Sequence, residues 1–200
     1  MSTAFCFDLD GTVTTTELLP CIASELDIAD EIATLTRLTM DGHIPFADSM
    51  RLRCLILGQV SLSRVHEIVD SITLEPLIVE FINERFADCA IVTGNLDIWL
   101  RPLMSRLKCR WVCSAASIDN GRLRLNHILD KGVALRAMRA EGGYGRYVAI
   151  GDGANDVPMF TEADIGIGYG AVHSPVPATV AASTLLVNSP EALCKLLRVL

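Results

Sequence analysis

The chain has 200 residues, of which half are hydrophobic and a fifth are charged. This composition is typical of a globular protein with one core and room for a small insertion. The formal net charge of −7 disfavours a nucleic-acid or anionic-membrane partner, because both would repel an acidic surface. No apolar run approaches the ~18 residues of a membrane span.

The cysteines and the first apolar run suggest a cellular compartment. Seven cysteines are present, and none forms the CxxC spacing typical of zinc or redox sites. The first strand begins near Ala4, which leaves no room for a signal peptide. We therefore expect a reduced, cytoplasmic protein.

The N-terminal third of the sequence predicts one strand followed by helices. Residues 4–9 form a short apolar run that ends at Asp10-Gly11-Thr12, which is typical of a buried strand opening into a loop. From residue 14 to about residue 73, apolar residues recur at helical spacing in four stripes. We therefore expect a helical cap over residues 14–73, inserted into a core made of residues 1–13 and 74–200.

The remaining sequence alternates between helical and strand patterns. Asn120-Gly121 predicts the tight turn of a hairpin within this part of the chain. Alternation of strands and helices indicates a parallel sheet that is covered by helices on both faces. The fold class predicted from the sequence is therefore α/β, with strands expected at residues 89–93, 111–114, 147–150, 165–169 and 184–187.

Polar residues follow three of the predicted strands at the point where each ends. Asp8 and Asp10 follow the first, Thr93 and Gly94 the second, and residues 151–156 (Gly-Asp-Gly-Ala-Asn-Asp) a later one. Ligands of parallel sheets bind outside the carboxyl ends of the strands. Carboxylates bind a hard divalent cation, and a lysine such as Lys131, which precedes the later strand, binds phosphate oxygens.

These residue types suit phosphoryl transfer. Mg²⁺ takes oxygen ligands and offsets the repulsion between an anionic nucleophile and a phosphate. Asp8 is then able to attack phosphorus and form an aspartyl-phosphate. Asp10 is placed to protonate the leaving oxygen and later to deprotonate the attacking water. Thr93 and Lys131 are expected to hold the phosphate oxygens where charge accumulates.

The four segments together resemble a known superfamily. Asp8-Leu9-Asp10-Gly11-Thr12 resembles the first motif of the haloacid dehalogenase-like hydrolases, and Thr93, Lys131 and residues 151–156 resemble the second, third and fourth, in the same order. The resemblance implies a Rossmann-like core. It also implies Mg²⁺ bound by Asp8, by the backbone carbonyl of Asp10 and by Asp152, with Asp156 binding through water or orienting its neighbours.

The predicted helical insertion resembles the phosphoserine phosphatase branch of this superfamily. In that branch a glutamate meets the amino group of the substrate, an arginine meets its carboxylate, and a methionine and a phenylalanine wall the pocket. Glu17, Arg53, Met40 and Phe46 occupy the matching positions. A glutamate and an arginine are what a zwitterionic amino-acid phosphate requires. Arg51 remains an alternative to Arg53.

The second motif departs from that branch. Where the branch has Ser-Gly-Gly-Phe, this chain has Thr93-Gly94-Asn95-Leu96. Threonine keeps the hydroxyl group, whereas Asn95 introduces a side chain that either narrows the pocket or adds a hydrogen bond. Gly94 and Asn155 are also expected to contact the substrate. No two of the four histidines have metal-ligand spacing, so we expect all four to be structural or to lie on the surface.

The sequence thus predicts a Mg²⁺-dependent phosphomonoester hydrolase that acts on O-phosphoserine or a similar small metabolite, as in amino-acid biosynthesis. A phosphotransferase that uses the same aspartyl-phosphate chemistry is an alternative. A non-catalytic binding module that keeps the fold is another. A dehalogenase is disfavoured, because dehalogenation does not need an acid at Asp10. The predicted partner is a small phosphorylated metabolite, with neither nucleic acid nor membrane.

Overall fold

A central sheet organises the protein, for which a computed structural model describes residues 2–200. Within these residues, seven strands form one sheet in the order β4-β3-β2-β1-β5-β6-β7. Neighbouring strands are parallel except β3 and β4, which form an antiparallel hairpin. The predicted α/β class is confirmed. The strand bounds are β1 (Thr3–Phe7), β2 (Cys89–Leu96), β3 (Arg110–Asp119), β4 (Arg122–His127), β5 (Arg146–Gly151), β6 (Ile165–Tyr169) and β7 (Leu185–Val187).

Ten α-helices accompany this sheet in the described part of the chain. Five lie between β1 and β2, and the other five connect or follow the later strands. None of the ten is both long enough and apolar enough to cross a membrane. The bounds are α1 (Leu18–Ala23), α2 (Ala29–Met40), α3 (Phe46–Leu57), α4 (Leu62–Ser71), α5 (Pro76–Glu84), α6 (Asp97–Met104), α7 (Lys131–Glu141), α8 (Val157–Glu162), α9 (Pro177–Ala182) and α10 (Pro190–Val199).

Strand β1 is fully buried at the centre of the sheet, between β2 and β5. Its apolar residues face helices on both sides, which is why it lacks the polar alternation of a half-exposed strand. Phe7 pairs with Ile91 of β2 and with Ile150 of β5. The residue that follows, Asp8, therefore emerges at the carboxyl edge of the sheet, where the polar ends of β2 and β5 meet it.

Residues 14–73, here called the cap segment, join the rest of the chain through a narrow neck. Thr14 and Leu74 form an isolated antiparallel bridge. The Thr15 amide donates to the Thr73 carbonyl at 3.1 Å, and the Glu75 amide donates to the Val13 carbonyl at 2.9 Å. The segment that leads into the cap segment and the segment that leads out of it are thus hydrogen-bonded to each other. The division into two domains stays a prediction.

Some elements differ from those expected. The hairpin turn lies at Asn120 and Gly121, both with positive φ (48° and 74°), as a tight two-residue turn requires. Strand β2 continues to Leu96, because its pairing with β3 shifts register between Thr93 and Leu96 and then resumes. Helix α9 was not predicted, since six residues are too few for a clear helical period.

Candidate active site

A buried lysine bridges two carboxylates at the carboxyl edge of the sheet. Lys131 Nζ lies 2.5 Å from Asp8 Oδ1 and 2.5 Å from Asp156 Oδ1. All three side chains are buried. Lys131 is the first residue of α7, a helix capped by the Asp130 side chain, which accepts from the Val133 amide. Burial disfavours the ammonium, but the charges of the two carboxylates outweigh it and raise the pKa of Lys131.

The second oxygen of Asp156 fixes the loop that follows β5. Asp156 Oδ2 accepts from the backbone amides of Asp152 and Gly153, both at 3.0 Å. The backbone of Gly151 passes so close that a Cβ atom there would overlap the Asp156 carboxylate. Asp156 therefore contacts both this loop and Lys131.

The carboxylates fit a hard divalent cation. Asp8, Asp152 and Asp156 each present one oxygen within 4.8 Å of the others. Asp152 Oδ2 is buried and has no hydrogen-bond partner among residues 2–200. Burial and the charge of Asp156 raise the pKa of Asp8 to about 7, and burial and the same charge hold the pKa of Asp152 well above its usual range. A bound cation reverses such shifts, so this donor set suits Mg²⁺.

Asp10 is held from two directions. Its Oδ1 accepts from the Leu18 amide at 2.9 Å, at the start of α1. Its Oδ2 accepts a hydrogen bond from the side-chain nitrogen of Asn95. Burial and the nearby charges of Glu17 and Asp8 raise the pKa of Asp10 well above its usual value. A carboxyl group with a raised pKa keeps its proton to a higher pH than an ordinary aspartate, which suits a general acid.

The end of β2 brings the second motif to the same cavity. The Asn95 amide donates to Thr93 Oγ1 at 3.2 Å, which folds the chain tightly over the Thr93 hydroxyl. A Cβ atom at Gly94 would overlap the ring of Phe46, which comes from α3 of the cap segment. Glycine is required here because an aromatic ring covers the backbone. Of the two alternatives for Asn95, the added hydrogen bond is present, to Asp10.

Arg53 is a buried cation directed at the cavity. Only 4% of its surface is exposed, and its Nη2 donates to the hydroxyls of Thr36 and Thr39 at 3.2 Å each. Among the described residues, none forms a salt bridge with it, and its Nε has no hydrogen-bond partner. Arg51 instead has an exposed side chain paired with Asp48 at 2.8 Å. Arg53, not Arg51, thus supplies positive charge to the cavity.

Glu17 faces a residue that the sequence did not single out. Its Oε1 lies 3.2 Å from Nε2 of His173, in the loop that follows β6. The interaction with Glu17 raises the pKa of His173 against the opposing effect of burial. His173 was expected to be structural or to lie on the surface, because no residue near it in the sequence indicates a contact with Glu17. The contact forms because the loop after β6 lies next to the start of α1 in the folded chain.

The residues predicted for the site come together in the folded chain. Most line one cavity of about 50 Å³ between the cap segment and the edge of the sheet. A wider cleft of about 520 Å³ adjoins it and shares Phe46 and Asn155. Lys131 contacts both Asp8 and Asp156. Their individual roles stay predictions. The predicted residues that line the smaller cavity are Asp8, Asp10, Glu17, Met40, Phe46, Arg53, Thr93, Gly94, Asp152 and Asn155.

A comparison with known families matches residues 5–161 to the haloacid dehalogenase-like hydrolases. Because this match covers most of the sequence, the chain belongs to that family. Within it, the chain is similar to phosphoserine phosphatases: it is 27% identical over 180 residues to that of Methanocaldococcus jannaschii, covering 82% of this chain and 83% of the relative. It is 28% identical over 212 residues to that of Halobacterium salinarum, covering 98% and 97%.

Coverage differs among the relatives, and solved structures support the fold. The chain spans 60% of a probable phosphoserine phosphatase of Schizosaccharomyces pombe, at 28% identity over 82% of this chain. It superposes on a substrate-bound phosphoserine phosphatase with a TM-score of 0.85, at 23% identity over 100% and 99% of the two chains. The predicted recognition is confirmed, and the predicted enzyme class, phosphoric monoester hydrolase, is that of these relatives.

Proposed function

We propose that this protein is a Mg²⁺-dependent phosphomonoester hydrolase that forms an aspartyl-phosphate on Asp8. The observation that carries the proposal is the ion pair between Asp8 and Lys131 at 2.5 Å. Two residues further along the chain, Asp10 accepts two hydrogen bonds and is placed to act as the acid. Asp8, the backbone carbonyl of Asp10 and Asp152 would hold Mg²⁺, with Asp156 supporting them. When bound, Mg²⁺ supplies the positive charge that lets a carboxylate approach a phosphate.

In the first half-reaction an oxygen of Asp8 attacks phosphorus. A bond from Asp8 to phosphorus forms, the bond to the leaving oxygen breaks, and Asp10 gives its proton to that oxygen. Lys131 holds the Asp8 carboxylate in place and binds a phosphate oxygen. Thr93 donates its hydroxyl to another phosphate oxygen, where negative charge increases in the transition state.

In the second half-reaction water replaces the alcohol. Asp10, now a carboxylate, takes a proton from water as the water oxygen attacks phosphorus. The bond between phosphorus and Asp8 breaks, which releases phosphate and restores Asp8. The hydrogen bond from Asn95 keeps Asp10 in one orientation through both steps. A phosphotransferase would follow the same course with an alcohol in place of water.

We propose O-phosphoserine, or a small phosphate of similar charge, as the substrate. The absence of a salt bridge to buried Arg53 within residues 2–200 favours a substrate with a carboxylate, because an unpaired buried charge is unfavourable. Glu17 lies across the same cavity and suits an ammonium group. Met40, Phe46, Gly94 and Asn155 would enclose the remainder of the substrate, and the narrow cavity favours a small one.

The test is phosphate release from a panel of phosphorylated metabolites with excess Mg²⁺, using Asp8→Asn as the matched inactive variant. We expect phosphoserine among the best substrates and no turnover above background in the variant. Mass spectrometry of the trapped intermediate should find the phosphoryl group on Asp8. Phosphate on any other residue would overturn the mechanism. Transfer to an added alcohol in preference to water would favour the phosphotransferase, and inactivity on the whole panel would favour a binding module.

We also propose a reducing, cytoplasmic location and a role in amino-acid biosynthesis. All seven cysteines lie within residues 2–200 and carry free thiols. Burial raises the pKa of Cys6 to about 12 and that of Cys54 to about 11, so both thiols stay protonated and unreactive. Free, protonated thiols are typical of proteins in a reducing compartment.

A further inference from the structure

A second group of metal-binding side chains lies beside the phosphate-handling residues. Glu17, Asp152 and His173 each present a ligand atom, and these atoms lie within 4.8 Å of one another. Glu17 comes from the start of α1, Asp152 from the loop after β5, and His173 from the loop after β6. The group shares Asp152 with the proposed Mg²⁺ ligands but contains neither Asp8 nor Asp156.

One member of this group, Asp152, is 1% exposed, and its buried Oδ2 has no hydrogen-bond partner among residues 2–200. Buried polar atoms are nearly always hydrogen-bonded, so this oxygen needs an explanation. The other two members face each other, with Glu17 Oε1 3.2 Å from His173 Nε2, and within the same residues neither of these atoms has another partner. A cation bound by all three side chains would satisfy Asp152 Oδ2 and take the place of the direct contact between Glu17 and His173.

The backbone at Gly11 permits this approach. Gly11 has φ +68°, in the region that favours glycine, and a Cβ atom there would lie 2.7 Å from Asp152 Oδ2 and 2.9 Å from His173 Cδ2. A side chain at this position would push the imidazole ring and the carboxylate apart. The glycine of the first motif thus has a second consequence, because it lets His173 reach the edge of the site.

The donor atoms differ in chemistry from those proposed for Mg²⁺. One imidazole nitrogen and two carboxylate oxygens form a set that Zn²⁺ and similar transition-metal ions accept. Mg²⁺ prefers oxygen ligands alone. We propose that Glu17, Asp152 and His173 form a second divalent-cation site that selects Zn²⁺-type ions over Mg²⁺, with Asp152 shared between the two sites.

Occupancy of this site has a consequence for turnover, and this consequence rests on the proposed function. Glu17 is also the residue to which we assign the ammonium group of the substrate. A Zn²⁺ ion on Glu17 takes that carboxylate away from the substrate, so the ion should inhibit competitively with phosphoserine. Binding of Zn²⁺ itself does not depend on phosphoserine being the substrate.

The binding experiment titrates Zn²⁺ into the protein by calorimetry, in saturating Mg²⁺ so that the other site is occupied. We expect one Zn²⁺ ion per chain and at least about tenfold weaker binding in His173→Gln, which loses one of three ligands. His43→Gln is the matched control, since His43 is exposed and does not belong to the group of ligand residues, and it should bind as the unmodified protein does. Equal affinities of all three proteins, or no Zn²⁺ binding in saturating Mg²⁺, would overturn the proposal.

Nuclear magnetic resonance of the unmodified protein tests the same site without a variant. The chain has four histidines, and added Zn²⁺ should shift the imidazole signals of one of them, His173. Shifts at another histidine alone, or at none, would contradict the proposed ligand set. Binding without inhibition of phosphoserine turnover would keep the metal site and remove the assigned role of Glu17.

Discussion

The side-chain nitrogen of Asn95 donates a hydrogen bond to Oδ2 of Asp10. This contact joins the end of β2 to the loop after β1, across the edge at which the substrate would enter. The phosphoserine phosphatase branch has a glycine where this chain has Asn95, so the contact distinguishes this chain from that motif. Together with the Leu18 amide on Oδ1, it fixes both oxygens of the proposed general acid.

Replacing Asn95 should slow the step that needs the acid. In Asn95→Ala the Asp10 side chain loses a hydrogen bond that would stabilise the carboxylate formed as Asp10 gives up its proton. A hydrogen bond to such a charged group is worth about 1.5–3 kcal/mol, or roughly 10- to 150-fold in rate. Single-turnover kinetics should show this loss for phosphoserine, whose alkoxide is a poor leaving group. The loss should be smaller for p-nitrophenyl phosphate, which hardly needs protonation. Equal losses on the two substrates would mean that Asn95 only maintains the fold. Asn126→Ala, at an exposed position, is the control.

Removing the Lys131 charge should destabilise the protein. In Lys131→Met the carboxylates of Asp8 and Asp156 lose the cation that lies 2.5 Å from each. Breaking a buried ion pair on one side typically costs about 3–5 kcal/mol, and urea unfolding without Mg²⁺ measures the loss. Lys195→Met, at an exposed position on α10, should change stability by about 0.5 kcal/mol or less. A similar stability of the two variants would contradict this account.

The metal-free protein should become less stable as the pH rises. The pKa of Asp8 is raised from an ordinary value near 3.8 to about 7 in the folded protein. Between these values the unfolded chain has already released its proton while the folded chain still holds it, so the free energy of unfolding falls with increasing pH. The melting temperature in EDTA should therefore be lower near pH 8 than near pH 5, and Mg²⁺ should stabilise more at the higher pH.

Two controls accompany that measurement. Asp8→Asn has no carboxyl group to titrate at this position, so its pH dependence in EDTA should be shallower. Asp152 and Asp10 also have raised pKa values and shift stability in the same direction, so some slope should persist. A melting temperature in EDTA that rises from pH 5 to pH 8 would contradict the prediction, as would equal stabilisation by Mg²⁺ at both.

The two arginines of α3 form a matched pair for testing substrate recognition. Arg53→Ala should lower kcat/KM for phosphoserine by about 10- to 150-fold, the cost of one charge-assisted contact. It should barely affect p-nitrophenyl phosphate, which lacks a carboxylate. Arg51→Ala should change neither, because Arg51 is exposed and paired with Asp48. Glu17→Gln should show the same selectivity as Arg53→Ala, and equal losses on both substrates would reduce both residues to a structural role.

Local patterns were sufficient to predict the sheet and the motif positions. The apolar run before Asp8 and the Asn120-Gly121 turn each determine structure through neighbouring residues, so they are visible in the sequence. The contacts of Asn95 with Asp10 and of His173 with Glu17 arise only when distant segments meet in the folded chain. Burial distinguished Arg53 from Arg51, because both arginines lie on the same helix and only packing decides which one faces the cavity.

The neck at Thr14 and Leu74 separates changes in the cap segment from changes in the sheet. Because the chain leaves and re-enters the sheet region at points already bonded to each other, the length of what lies between them costs little in loop-closure entropy. We therefore expect insertions within the cap segment to leave β1 and the position of Asp8 unchanged. Under the proposed function, such insertions change which substrate is recognised and leave the phosphate-handling residues at the sheet edge in place.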